Sequence, residues 1–515
     1  MAVHADEAHR ARQANVYADE TAKEEIAITQ PMDKQMSRLW KWCGGLCVSA
    51  LLIAGSQAGA QQPVVASVPP PQVRQFTVQQ AVDYALANYP AVRAALEQYN
   101  AAQAGVGLAQ TKYLPQMDGV WQMDRGSRES VLGVLLPQSP NILTGTQGSV
   151  TPHANRPFWT SGAGVLLSWE PFTFGYRHAQ VLSAEATANR TQAQVTLTQL
   201  GVASAVADAS LAVLAQEQRV YASQADVNRR RVFNKSVHAL VDAHLRPGAD
   251  ASRADAELAA ARTRLIQAQE SSQLGRIALA QLLGLAGASI EIVPGPFLTV
   301  PPAQAGETLP LTDHPAAVAQ QDRVLEEKAR IRVLNHAYFP HFTTEGLISA
   351  RGSAETSTGA IRPFPAGLGW DVHNWEAGLT ASMDLTSIFS IHARKKVELA
   401  NRRREEAVYA QTMQSLTSQQ QMALAQLEGA RRVAENTPTE LAAARQSESQ
   451  AVARFHAGLG TIVDVAEAQS LLAQAETDDS LGRLSIWRAL ADLSAANGSI
   501  HSFLNTVDAM PQGGH

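Results

Sequence analysis

The chain of 515 residues carries fourteen histidines and two cysteines, and none stands where a metal or a nucleophile would need it. His153, His244, His314, His336, His341 and His456 are never at paired-ligand spacing, so each reads as a surface or packing residue. There is no G-x-S-x-G elbow, no phosphate-cradling glycine loop and no H-E-x-x-H helix. No catalytic residue, cofactor or metal is therefore expected. A net charge of -5, with no basic stripe interleaved with aromatics, excludes the usual nucleic-acid footprint. What remains is a pair of acids, Asp464 and Glu467, whose i, i+3 spacing near a helix start suits the helix dipole.

Both cysteines, Cys43 and Cys47, fall in a segment with its own logic. Arg38 and Lys41 form a cationic region, Leu46 to Ala54 a short apolar one, and Ala58-Gly59-Ala60 a small-x-small cleavage pattern. Residues 36–60 are thus expected to be a signal peptide, leaving a mature chain that begins near Gln61 without any thiol. Residues 1–35 are polar and charged, wrong for the start of a signal, so translation is expected from either Met1 or Met36. Past the signal no run of about 18 apolar residues is evident, so a mature chain that crosses a membrane must do so by strands closing into a barrel.

The elements that would hold such strands occur twice. Tyr113-Leu114-Pro115-Gln116-Met117 recurs as Tyr338-Phe339-Pro340-His341-Phe342, and Pro90 as Pro315, all at an offset of 225. Beyond Gly164 the offset becomes 214, matching Ser168 to Ser382, Leu245 to Leu459, Asp250 to Asp464 and Gly284 to Gly498. A single indel of 11 residues between Pro115 and Gly164 accounts for both registers. Each unit, expected over 77–284 and 313–498, reads helix, strand, loop, strand, very long helix, turn, long helix. Residues 61–76 are read as an N-terminal linker, 285–312 as a Pro- and Gly-rich linker, and 499–515 as a mobile tail.

Thr77 with Gln80 forms a capping box that opens a first helix running to about Lys112. From Gln116 to Arg125, Met117, Trp121 and Met123 alternate with Gln116, Asp118, Gln122 and Asp124. In the same way Ala163, Val165, Leu167 and Trp169 oppose Gly162, Gly164 and Ser168, and Trp375 to Met383 alternate with Glu376 to Asp384. Period-two alternation marks strands with one apolar and one polar face, as a water-filled lumen inside lipid requires. A half-buried soluble hairpin alternates the same way. Arg177 to Leu245 contains no proline and one glycine, enough for a helix on the order of 100 Å. Leu197, Leu200, Ser204, Ala207, Leu211 and Leu214 step along it as a heptad seam. A second run reaches from Ser390 to Thr437, with a kink expected at Pro438. Helices this long must pack along their length, against each other or against sister subunits.

Three sequences carry a resemblance: the tyrosine-x-proline entries ending in Pro115 and Pro340, the strand exit Ser168-Trp169-Glu170-Pro171-Phe172-Thr173-Phe174-Gly175, and the segment Arg454 to Gln469. Together they make the chain resemble the outer-membrane efflux proteins, TolC and its relatives. That resemblance implies an α plus transmembrane β-barrel fold: a homotrimer whose shared 12-stranded barrel continues into a long periplasmic α-helical tunnel. It implies a passive conduit for small molecules, working with a periplasmic adaptor and an inner-membrane pump of the RND or an ATP-driven type. An exit duct for type I protein secretion and a helical scaffold without a pore remain open as alternatives.

By the same resemblance Asp464 and Glu467 would ring the periplasmic entrance, their mutual repulsion raising some pKa values. The tip turn would be formed around Phe455, Gly458 and Gly460, with Asp250 on the first hairpin. Family members often latch this tip with a tyrosine and a basic residue, where this chain has Phe455 and Gly460. Arg246 and Arg253 are the cations left to replace them, and a less tightly held closed state is expected.

Overall fold

The computed structural model describes residues 73–126, 157–301, 310–356 and 360–510. The polar extension, the signal segment with both cysteines, and the middle of the expected indel lie outside these residues. The chain begins with β1 (Arg74–Phe76), α1 (Val78–Asn88) and α2 (Pro90–Thr111). A strand pair follows, β2 (Gln116–Gly126) and β3 (Phe158–Phe172), then a helical hairpin, α3 (Tyr176–Asp242) and α4 (Gly248–Leu282). After the short β4 (Ile290–Ile292), the same order of elements returns as α5 (Pro315–His336), β5 (His341–Ser353), β6 (Val372–Ser382), α6 (Ser387–His456) and α7 (Ile462–Ala496). The short α8 (His501–Asp508) ends the described chain.

The strands form one antiparallel sheet in the order β2-β3-β5-β6, so β3 and β5 join the two passes. Register places Gly119, Val165, Ile348 and Trp375 in one row, and Met117, Leu167, Gly346 and Ala377 in the next. Residues directly opposite one another share a face. One face therefore carries Met117, Trp121, Val165, Ile348, Trp375 and Leu379, all exposed, with Ile348 at 73% and Trp375 at 81%. The other carries Gln116, Asp118, Gln122, Ser168, Glu345 and Glu376. Four strands are too few to close a barrel, and among the described residues β2 and β6 each present an unpaired edge.

The helices hold the sheet at one end of a long bundle. The Thr77–Gln80 capping box is present, each side chain bonding the other's backbone N–H. The first helix is not continuous, however. It breaks at Tyr89, whose extended backbone (ψ 129°) precedes Pro90, because proline disfavours the helical region for the residue before it. α3 runs for 67 residues, on the order of 100 Å. Along its expected seam Ala207, Leu211 and Leu214 are buried, while Leu197, Leu200 and Ser204 are half-buried. α6 passes through Pro438 and runs unbroken for 70 residues to His456. One 18-residue window of α3 has a mean hydropathy of 1.5, which corrects the expectation of no such segment after the signal. Along α3, the apolar side chains Val202, Val206, Leu211 and Leu214 belong to a packed core.

That core sits where the two passes meet. Val78 and Val82 of α1, Leu279 of α4, Trp487 of α7 and Phe503 of α8 share it with Ile290 and Phe297. Each such buried apolar side chain contributes roughly 2–3 kcal/mol. Two sequence expectations change here. Residues 285–312 are not merely a linker, since β4 pairs in parallel with β1, Phe297 stacks edge-on against Trp487 at 5.2 Å, and the Trp487 indole donates to Thr299 O at 2.8 Å. The tail expected after Ser499 also packs over part of its length, since α8 buries Phe503 and Leu504 in the same cluster. Spacing of proline and glycine marks a loop, whereas the scattered Phe297, Phe503 and Leu504 decide that it packs.

Candidate functional site: the hairpin tips

The two helical hairpins end in turns of the same kind. At the second, Gly458 takes φ 75°, and the amides of Gly458 and Leu459 donate back to Phe455 O at 3.1 Å and Arg454 O at 2.9 Å. This is a Schellman closure, built on a left-handed residue just past the helix. At the first tip His244 fills that place at φ 59°, with His244 and Leu245 donating to Val241 O and Leu240 O. A side chain in that region costs about 1–2 kcal/mol, which glycine avoids at 458.

α7 then opens with a full capping box. The Thr461 hydroxyl accepts from the Asp464 N–H at 3.3 Å, and the Asp464 carboxylate accepts from the Thr461 N–H at 2.9 Å. These bonds from Thr461 hold the Asp464 carboxyl below the ordinary carboxylate range. The raising expected from neighbouring carboxylates is thus opposed inside one protomer: the acid is engaged with its own helix. Glu467 lies exposed nearby, and the two acids share a surface groove of about 510 Å³ with Arg454, Gln450 and Ser447.

Phe455 is wholly buried. It packs edge-on against Phe233 of α3 at 5.1 Å, in a cluster with Val237, Ala254, Ile462 and Val465 drawn from all four hairpin helices. Arg246 closes over it from the first tip. Its guanidinium carbon sits 4.4 Å from the Phe455 ring centroid, and its Nη2 donates to Phe455 O at 2.8 Å and Gly460 O at 3.4 Å. Arg246 is the residue 214 positions before Gly460, so a cation stands at the equivalent place on the other hairpin and reaches Gly460 O. Arg253 does not take part, lying exposed 3.9 Å from Glu257 on its own helix. Asp250 sits in the first turn of α4, where a carboxylate favours the helix dipole.

The strand entries lie at the far end of the bundle. Pro115 follows a turn in which Tyr113 O accepts from the Trp169 indole at 3.1 Å, and Pro340 leads directly into β5. Asp384, read as the end of a strand, lies past β6, and its carboxylate accepts from the Thr386 and Ser387 amides just ahead of α6.

Sequence reasoning missed two features. The Thr461–Asp464 box was legible as threonine three residues before an acid. A buried charge network around Arg230 was signalled only by the i, i+4 pair Asp226–Arg230, a spacing that surface helices also use.

The family model described as outer membrane efflux protein matches residues 81–285 and 311–499. No curated protein matches the chain by sequence. Among solved structures the chain is similar to the outer-membrane channel OprN, with a TM-score of 0.65 at 19% identity over 88% of this chain and 99% of that one. It is similar to VceC of Vibrio cholerae, with a TM-score of 0.66 at 16% identity over 82% of this chain and 96% of that one. For the outer-membrane channel CmeC of Campylobacter jejuni the TM-score is 0.66 at 14% identity, covering 87% and 94%. With both halves of the chain matched and the sheet-plus-hairpin fold shared, this protein belongs to the outer membrane efflux protein family and is a protein of the outer membrane.

Proposed function

We propose that three copies of the chain form a passive channel for small molecules, with one shared 12-stranded barrel and a periplasmic tunnel built from the long helices. The observation that carries this reading is the open four-stranded sheet. Its apolar face is bare, its opposite face carries polar side chains, and both edges are unpaired among the described residues. Unpaired strand edges and bare tryptophans are costly in water, and closing the sheet with two further copies inside lipid removes both costs. The return of the same elements in the same order supports a duplication.

In this reading the hairpin tips form the periplasmic entrance and its gate. Three copies bring six carboxylates, from Asp464 and Glu467, around the opening and attract cations to it. Arg246 takes over the latch that Gly460 and Phe455 leave vacant, so the closed state is held by a cation from the first hairpin. Leu245 and Leu459, exposed at 70% and 74%, give both tips an apolar point on which a periplasmic adaptor would seat. An inner-membrane pump would supply the energy, since nothing in the chain points to catalysis.

The test is purification from outer membranes followed by planar-bilayer recording. A heat-modifiable trimer with a low, cation-preferring conductance that changes and loses its cation preference when Asp464 and Glu467 become alanine is expected. A monomer that forms no pore would refute the channel, and a conductance unchanged by the double substitution would refute the entrance ring.

A further inference from the structure

Where β6 gives way to α6, one face of the chain turns from apolar to basic. Leu385 and Phe389 are exposed at 71% and 80%, so the bare apolar surface of the sheet continues into the first turn of the helix. His392, Lys396 and Arg403 then follow Phe389 at steps of three, four and seven, which keep them on its face, and all three are exposed. At 1.5 Å per residue His392 and Lys396 lie about 5 and 10 Å beyond Phe389. A bilayer's headgroup layer is about 5–8 Å deep on each side of its hydrocarbon. Two more cations stand at this level on α5, which runs opposite to α6. Gln320 donates to Glu405 at 2.7 Å between them, setting Lys328 level with Val397 and Arg332 level with Ala393. Both are exposed and one turn apart.

No carboxylate answers these cations. Among the described residues Lys328, Arg332, Lys395 and Lys396 make no ion pair, whereas Arg330 pairs with Glu326, Arg402 with Glu406 and Arg404 with Glu405. The other acids nearby are engaged: Asp384 by the Thr386 and Ser387 amides, and Glu398 by the Asn401 amide at 3.1 Å. Nor does the fold require the charges. The first unit has Gln103 and Gly107 at 225 positions before Lys328 and Arg332, and Val181 and Leu182 at 214 before Lys395 and Lys396.

We propose that Lys328, Arg332, Lys395 and Lys396 form a site for the phosphate of an anionic phospholipid in the periplasmic leaflet, whose acyl chains lie along Leu385 and Phe389. Long basic side chains lay their stems on apolar surface and keep their heads at the headgroup level. Basic residues beside a membrane draw anionic lipid by a factor of about five each. The apolar turn decides the occupant: free phosphate or an acidic polymer of the cell wall would answer the charge and leave Phe389 bare. The inference rests on the sheet lying in lipid and is independent of whether the tips gate.

Native mass spectrometry of the full chain, purified in detergent from outer membranes, tests the site. Phosphatidylglycerol titrated onto the protein should bind about 25-fold more weakly once Lys395→Gln and Lys396→Gln are combined. Phosphatidylcholine of the same chain length should bind parent and variant alike. Arg432→Gln with Arg445→Gln removes the same charge far down α6 and should leave phosphatidylglycerol binding unchanged. Equal binding by parent and lysine variant overturns the site, and so does an equal loss in the arginine pair, which would make the attraction a matter of net charge. Displacement of the lipid by inorganic phosphate at matched concentration overturns the phospholipid as occupant. Lipid held by the dissociated protomer and not by the trimer also overturns it, because a sister subunit then covers the patch. A protein that stays in solution without detergent overturns the membrane reading of the sheet, and this inference with it.

Discussion

The two hairpin tips share a turn and divide the work of closing it. The first carries a strained His244, starts its second helix without a side-chain cap, and contributes the charged groups Arg246 and Arg230. The second carries an unstrained Gly458, a full capping box and the buried Phe455. One hairpin supplies directional bonds and the other supplies the apolar plug they close on. Two hairpins that end in the same turn are in this way complementary.

The comparison is broken most severely at the plug. Phe455→Ala should cost about 3–5 kcal/mol of local stability, because a fully buried aromatic leaves a cavity and takes the stacking surface of Arg246 with it. Val241, its half-buried counterpart 214 positions earlier, should cost far less when cut to alanine. Hydrogen exchange across residues 450–465 would rank the two, and equal effects would erase the distinction between plug and latch.

Removing the latch comes next. Arg246→Ala should cost about 2–3 kcal/mol at the tip through two lost carbonyl bonds and the ring contact. Arg246→Lys should recover only part, since lysine has neither the planar fork nor the stacking face. Channel recordings should show the alanine variant open more often than the lysine variant.

Thr461→Ala should cost about 1 kcal/mol by removing the cap of α7. The cap also carries a pH signature. The Asp464 carboxyl is held low in the fold, so its contribution is complete above the unfolded carboxylate value. It is lost as pH falls from there through the lowered folded value. At pH 7 the bond is intact, and thermal melts of parent and Asp464→Asn should converge only in acid below about pH 4.

The smallest effect lies in the turns themselves. His244→Gly should stabilise the first tip by about 0.5–1 kcal/mol, and Gly458→Ala should destabilise the second by a similar amount. Nothing lies within 4 Å of a methyl group built at Gly458, so the cost there is conformational rather than steric. Equal melting temperatures for both variants would show that the turns are not matched.

Much of the fold was legible in the residues. Alternation located β2, β3 and β6, and the long proline-free stretch located α3, because these patterns repeat over ten or more positions. The break before Pro90 and the end of β6 at Ser382 are not legible in the pattern, since each depends on a local bond or clash at one residue. Packing of Phe297 and Phe503 was illegible for another reason: an isolated aromatic in a polar segment carries no period. At the tip, residue types alone showed that Gly460 and Phe455 lack polar side chains, and Arg246 was one of two candidates to replace them.

By itself, then, the sequence determined the two-faced strands, the long helices and the chemistry absent from 455 and 460, all of which are written in period or residue type. Only the tertiary structure decided that Arg246 rather than Arg253 bonds Phe455 O and Gly460 O across the tip, and that Arg230 joins the first hairpin to α7. Those outcomes turn on which side chains meet across helices more than 200 residues apart in sequence, and spacing along the chain does not encode that distance.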